Sequence, residues 1–188
     1  EGIRAANFFL DYVADGKGEA LLAENRNLVT DATNYKRDLE SLAWYKAEAH
    51  VAKAYYYAEL IKMYGGVPII ESAVDNGEMV KRASYEEVVE YIVKEIDDHK
   101  SALALNWNDY LDREGRFTLG AALAIKARVL LYAASPLHSE SNDPAKWERA
   151  AAAANELLSN TDLNYSLASD YGSYFIGGAP LSSSETIY

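Results

Sequence analysis

Cysteine is absent from the 188 residues, which removes disulfides, thiolate nucleophiles and thiolate metal sites together and leaves the redox compartment undecided. Positive charge is in short supply: 18 Lys and Arg stand against 29 Asp and Glu, a formal net charge of -11. No run of basic residues offers the stripe that a phosphate backbone requires, so nucleic acid is excluded as a partner. Nor is there a stretch of roughly 18 to 20 apolar residues to span a bilayer, or a basic-then-apolar leader at the start. Histidine occurs only three times, at His50, His99 and His138. None of these falls in the H-E-x-x-H spacing that would put two imidazoles on one helical face. Adjacent carboxylates such as Glu86 with Glu87, or Asp97 with Asp98, diverge around a helix, so the facing pair that glycoside hydrolysis needs is missing as well. Gly65 and Gly66 have neither the glycine spacing nor the following Lys and hydroxyl residue of a phosphate loop. Taken together, these absences leave no catalytic residues, no metal ligands and no cofactor.

What the chain does have is a large apolar fraction, 49% against 25% charged, enough for one compact unit with a real core. Apolar residues recur at three and four positions rather than alternating, which predicts an all-α fold. A first helix is expected around Ile3 to Val13, burying Ile3, Ala6, Leu10 and Val13. The next segment, to about Thr33, fits no pattern. A long helix then carries Tyr45 to Tyr64 with Ala49, Ala52, Tyr56, Leu60 and Met63 on one stripe. Ser84 and Glu87 form a capping box ahead of Val88, Ile92, Ile96 and Leu103. A further helix follows Thr118, and Asp143 with Pro144 supplies the cap and first turn of another, which Asn160 ends. Beyond it, Gly, Ser and aromatic residues replace the helical period.

Laid side by side, two helices resemble each other. Ala49, Ala52, Lys53, Tyr56 and Tyr57 fall on Ala124, Ala127, Arg128, Leu131 and Tyr132. The helices after them match as well, Tyr85 and Glu86 falling on Trp147 and Glu148. The expected architecture is therefore a single helical domain over 1–188. Its stacked antiparallel helix pairs, at about 44–105 and 118–159, resemble tetratricopeptide hairpins, and an irregular tail covers 160–188. Lys53 and Arg128 sit within the apolar arcs of their helices, each with a tyrosine one turn later, Tyr57 and Tyr132. They read as structural clamps that stack on those rings, or alternatively as cations that touch a ligand.

The stretch Y-K-A-E-A-H-V-A-K-A-Y-Y-Y-A-E-L-I-K-M-Y-G-G-V-P-I-I resembles the SusD/RagB family, in which an E-A-x-x-x-R-A-x-x-Y helix runs into a G-G-V-P exit. Three later stretches continue the resemblance in order: S-Y-E-E-V-V-E-Y-I-V-K-E-I-D-D, then G-R-F-T-L-G-A-A-L-A-I-K-A-R-V-L-L-Y-A-A-S-P, then W-E-R-A-A-A-A-A-N-E-L-L-S-N. Lys53 departs from the pattern, standing where the family usually has Arg. The resemblance implies a non-catalytic binder of oligosaccharides or other nutrients, tethered at the bacterial outer membrane and delivering its ligand to a SusC-like TonB-dependent transporter. It also implies a lipid anchor as the only membrane attachment and a large C-terminal portion, neither of which is in this chain.

Within the chain, the segment Asn106 to Gly115 is the candidate ligand contact. Trp107 and Tyr110 can stack on the apolar face of a sugar while Asn108 and Asp109 bond its hydroxyls. Folding back of these aromatics over the core is the competing reading. The aromatic tail around Tyr171, Tyr174 and Phe175 is a second candidate. Two functions remain in view: a glycan-binding component of an uptake complex, with this segment as scaffold and partner contact, or a tetratricopeptide-like interaction scaffold that touches no glycan.

Overall fold

The computed structural model describes residues 1–26, 28–73, 79–107, 115–139, 141–170, 172 and 184–187. Among these there are six α-helices, two short 3-10 turns and no strand, an all-α architecture of antiparallel, tetratricopeptide-like helix pairs. None of the helices is long and apolar enough to cross a membrane. The helices fall into two compact units, Glu1–Ala102 and Leu103–Tyr188.

In the first unit, α1 (Gly2–Val13) and α2 (Lys17–Glu24) pack on α3 (Ala32–Tyr64), and α4 (Tyr85–His99) runs back along α3. At 33 residues, α3 is about 50 Å long at 1.5 Å per residue. It starts well before the expected Tyr45, and Arg26 bridges Asp31 and Asp38 at 2.9 and 2.5 Å, tying the preceding turn to the new helix. The buried stripe of α3 also differs from the expected one. Ala47, Val51, Ala54, Tyr57, Ala58 and Ile61 face the core, whereas Tyr56 is 40% and Met63 77% exposed. Alanine and tyrosine occur all around this helix, so hydrophobicity alone leaves its rotation open to about one residue. Val88, Val89, Ile92, Val93 and Ile96 from α4 settle the rotation by supplying the facing surface.

The chain leaves α3 through Gly65, whose φ of 67° is left-handed, the backbone that glycine adopts without a Cβ penalty. At Gly66 a Cβ would collide with the Ala83 carbonyl oxygen, so only glycine lets the outgoing and returning strands of chain pass this closely. Arg82 donates to the carbonyls of Gly66 and Tyr64, and Ala83 N donates to Val67 O at 3.2 Å. Farther along, Asn7, fully buried, gives its amide to Ile70 O at 2.8 Å, while Ile70 N donates to the Tyr57 hydroxyl at 2.7 Å. Asp11 accepts from Ser72 Oγ and Ala73 N. Backbone groups of Ile70 and Ala73 in this extended segment are thus satisfied by side chains of α1 and α3. Ser84 and Glu87 then close a reciprocal capping box that starts α4.

In the second unit, Thr118 caps α5 (Leu119–Ala134) by accepting from Ala121 N at 3.2 Å. Asp143 caps α6 (Pro144–Leu158) by accepting from Ala145 N, with Pro144 in the first turn where its missing N–H is not needed. The two helices pack together, burying Ala122, Leu123, Val129, Leu130, Ala133 and Ala134 on α5 and Ala150 and Ala153 on α6. The small residues of α6 let the larger side chains of α5 seat against it. Gly120 packs against the ring of Tyr165, which holds the start of the tail on α5.

Candidate functional site

The first unit carries a polar cluster inside its α3–α4 interface. Lys53 on α3 is only 3% exposed, and its Nζ lies 3.5 Å from Glu95 Oε2 on α4. The same carboxylate oxygen is 2.7 Å from His50 Nδ1. His50 and Lys53 are three positions apart on one helix, and Glu95 and His99 are four apart on the other, so each pair shares a face. The His50 and His99 rings stack with centroids 3.5 Å apart and planes 25° from parallel. Lys53 Nζ also sits 5.6 Å from the centroid of Tyr91, whose ring meets Tyr57 edge-on at 5.2 Å.

The charges here oppose one another in an ordered way. Burial pushes Glu95 up, but the hydrogen bond from His50 and the charge of Lys53 outweigh it, and the carboxyl is held below its usual range. His99 is pulled down by burial and then by its neighbour His50, which favours the neutral imidazole. Tyr91 is pushed above the ordinary phenol range, chiefly by burial and then by the charge of Glu95.

Lys53 is thus held by Glu95 and by the ring of Tyr91, on the neighbouring helix, rather than by Tyr57 four residues on. Its sequence match, Arg128, is exposed, which corrects the expectation of a second interior cation. The cation that joins α5 to α6 is Lys126, 2.9 Å from Glu156. The alignment of small residues that paired Lys53 with Arg128 does not fix helix rotation, and the pocket for Lys53 depends on α4 residues with no counterpart on α6. The cluster itself was within reach of the sequence: Glu95 and His99 show an i, i+4 ligand spacing, and His50 lies on the helix expected to pack against them.

In the second unit, Trp107 is 5% exposed, its indole N–H donates to Phe117 O at 3.2 Å, and the Arg116 guanidinium lies 5.3 Å from its ring centroid. Its faces are taken up by the protein. Asn108 and Tyr110, with Asp109, lie outside the described residues, as do Tyr171, Tyr174 and Phe175. A surface groove of about 700 Å³ opens beside α1 and α2, lined among others by Arg4, Phe8, Tyr12, Lys17 and Leu21. Phe8 and Tyr12, one helical turn apart, are 68% and 59% exposed.

Comparison with known proteins places this architecture. A sequence model of the SusD-like family, described as starch-binding and associating with the outer membrane, matches residues 1–131. The chain belongs to the SusD-like family. Solved structures agree with that membership. Surface glycan-binding protein A from Bacteroides uniformis superposes with a TM-score of 0.64 at 19% identity, over 92% of this chain and 32% of its own. A laminarin-binding SusD-like protein gives 0.62 at 24% identity, over 77% of this chain and 30% of its own. A SusD homolog from Bacteroides thetaiotaomicron gives 0.60 at 27% identity, over 71% and 25%. Among curated proteins no sequence match is found. The SusD-like chain here therefore spans a third or less of the length of these structures.

Proposed function

We propose that this chain is the helical scaffold of a SusD-like protein that binds oligosaccharide at the bacterial cell surface without cleaving it. The bound glycan is handed to a SusC-like TonB-dependent transporter, and attachment to the outer membrane is through a lipid anchor. The match of the family over residues 1–131 carries this reading, supported by likeness to structures described as laminarin- or glycan-binding. Within this segment Trp107, its indole buried and hydrogen-bonded, is structural, and Asn108 and Tyr110 are the proposed sugar contacts.

The burial of Trp107 also favours a second reading, in which the segment touches no glycan and serves protein contact alone. Glycan-array binding by the full-length protein, by this chain and by full-length Tyr110→Ala separates the two. The first reading expects binding by the full-length protein and its loss in Tyr110→Ala. Unimpaired binding by Tyr110→Ala leaves the segment as scaffold, and no glycan binding by the full-length protein overturns the nutrient-binding function.

A further inference from the structure

The α3–α4 interface of a helical scaffold needs apolar packing, and it has it in Val51, Ala54, Tyr57, Ile92 and Ile96. The polar group at one side of this interface is not required by that packing. His50, Glu95 and His99, all half-buried, each offer one ligand atom, and the three atoms lie within 4.8 Å of one another. We infer that these three side chains form a binding site for a divalent first-row transition ion of the zinc class.

The donor chemistry points to that class. Two imidazoles and one carboxylate are the His₂Glu set that zinc accepts, with a fourth position left for water. Hard, larger ions such as calcium prefer six or more oxygens, and this cluster cannot supply them. Copper(I) prefers thiolates and thioethers, and the chain has no cysteine. The scaffold is suited to the task because Glu95 and His99 project from one face of α4 and His50 meets them from α3, so two packed helices fix three donors.

Two local changes accompany binding. At present His50 Nδ1 and Glu95 Oε2 share a hydrogen bond of 2.7 Å; an ion between them replaces the proton and spreads the pair to roughly 3.3 Å, the edge of a tetrahedron with bonds near 2.05 Å. The stacked imidazoles, whose planes are only 25° apart, must also turn so that both lone pairs aim at one point. Lys53 opposes the ion, because its ammonium competes for the same carboxylate oxygen. The site is therefore one whose affinity this lysine restrains.

The test is calorimetric titration of the full chain with Zn²⁺, together with the visible absorption spectrum of the Co²⁺-loaded protein. One ion per chain is expected. His50→Ala and His99→Ala should each weaken binding by at least about tenfold, His138→Ala should leave it unchanged, and Lys53→Met should tighten it. Circular dichroism of each variant checks that the helices persist, and the cobalt spectrum of the unaltered chain reads the site without any substitution. Absence of both zinc heat and a cobalt ligand-field band overturns the site. Retention of full affinity in His50→Ala and His99→Ala does so too, and unchanged affinity in Lys53→Met removes Glu95 from the ligand set.

Discussion

The α3–α4 and α5–α6 pairs are alike in outline and unlike in what holds them together. The first is joined by branched and aromatic side chains, Val88, Val89, Ile92 and Ile96 against Val51, Tyr57 and Ile61, and it buries a lysine beside a glutamate and two histidines that are half-buried. The second buries Leu123, Val129 and Leu130 among the alanines of α5, and only Ala150 and Ala153 on α6, while Lys126 pairs with the partly exposed Glu156. The two pairs differ in how deeply the ion pair is set: the Lys53 and Glu95 side chains are 4% and 13% exposed, those of Lys126 and Glu156 12% and 34%. The face of α6, small at Ala150 and Ala153, carries no counterpart of Glu95 or Tyr91 to hold a cation as deeply.

Six substitutions and a pH series would break or sharpen this contrast, taken from the largest effect down. Ile92→Ala removes a fully buried side chain from the bulky interface and should cost about 4 kcal/mol, read from the urea midpoint. Lys53→Ala removes a buried cation and leaves Glu95 with His50 as its remaining partner, and should cost about 2 kcal/mol, whereas Arg128→Ala should stay within about 0.5 kcal/mol. Equal losses at both cations would erase the distinction between the pairs.

Protonation should weaken the first unit in two steps. His99 is depressed in the fold, so its contribution is complete above the unfolded value of about 6.5 and is lost as pH falls through the lower folded value. Glu95 is depressed as well. Its contribution is present above about 4.3 and disappears as the pH falls through its folded value. At the alkaline end the sign reverses, because burial raises Tyr85 to about 12 and stability is lost as pH rises from about 10 through that value. Thermal melts from pH 8 down to pH 3 check the acid steps, and His99→Gln should remove the upper one.

Smaller still, Ser84→Ala opens the capping box of α4 and should cost about 1 kcal/mol. Lys126→Ala breaks a partly exposed pair and should cost about 1 kcal/mol. A loss at Lys126 as large as that at Lys53 would show that the second pair relies on its ion pair as strongly as the first.

Much of this was legible in the residues. The capping box at Ser84, the glycine exit at Gly65 and the proline start of α6 follow from local chemistry that depends on few neighbours. The rotation of α3 was not legible, because Tyr55, Tyr56 and Tyr57 occupy three directions and only the partner helix selects Tyr57 for burial. The partner of Lys53 was hidden for the same reason: it sits 42 positions away, at Glu95. Trp107 shows the limit on sites, since a loop tryptophan beside Asn and Asp has one sequence signature whether it faces a sugar or, as here, the carbonyl of Phe117.

The clamping of Ile70 bears on how the chain acquires its form. Its carbonyl is held from Asn7, 63 positions away, and its N–H from Tyr57, only 13 away. A nascent α3–α4 hairpin has the tyrosine but not the asparagine, so the exit from α3 cannot be complete until α1 has docked. Closing so long a loop is slow relative to forming a helix. The far end of this exit, where Asp11 of α1 holds the Ala73 amide, should therefore be among the last parts of this unit to gain protection from hydrogen exchange, and deleting α1 should expose Ala73 N–H while leaving the amides in the middle of α4 protected.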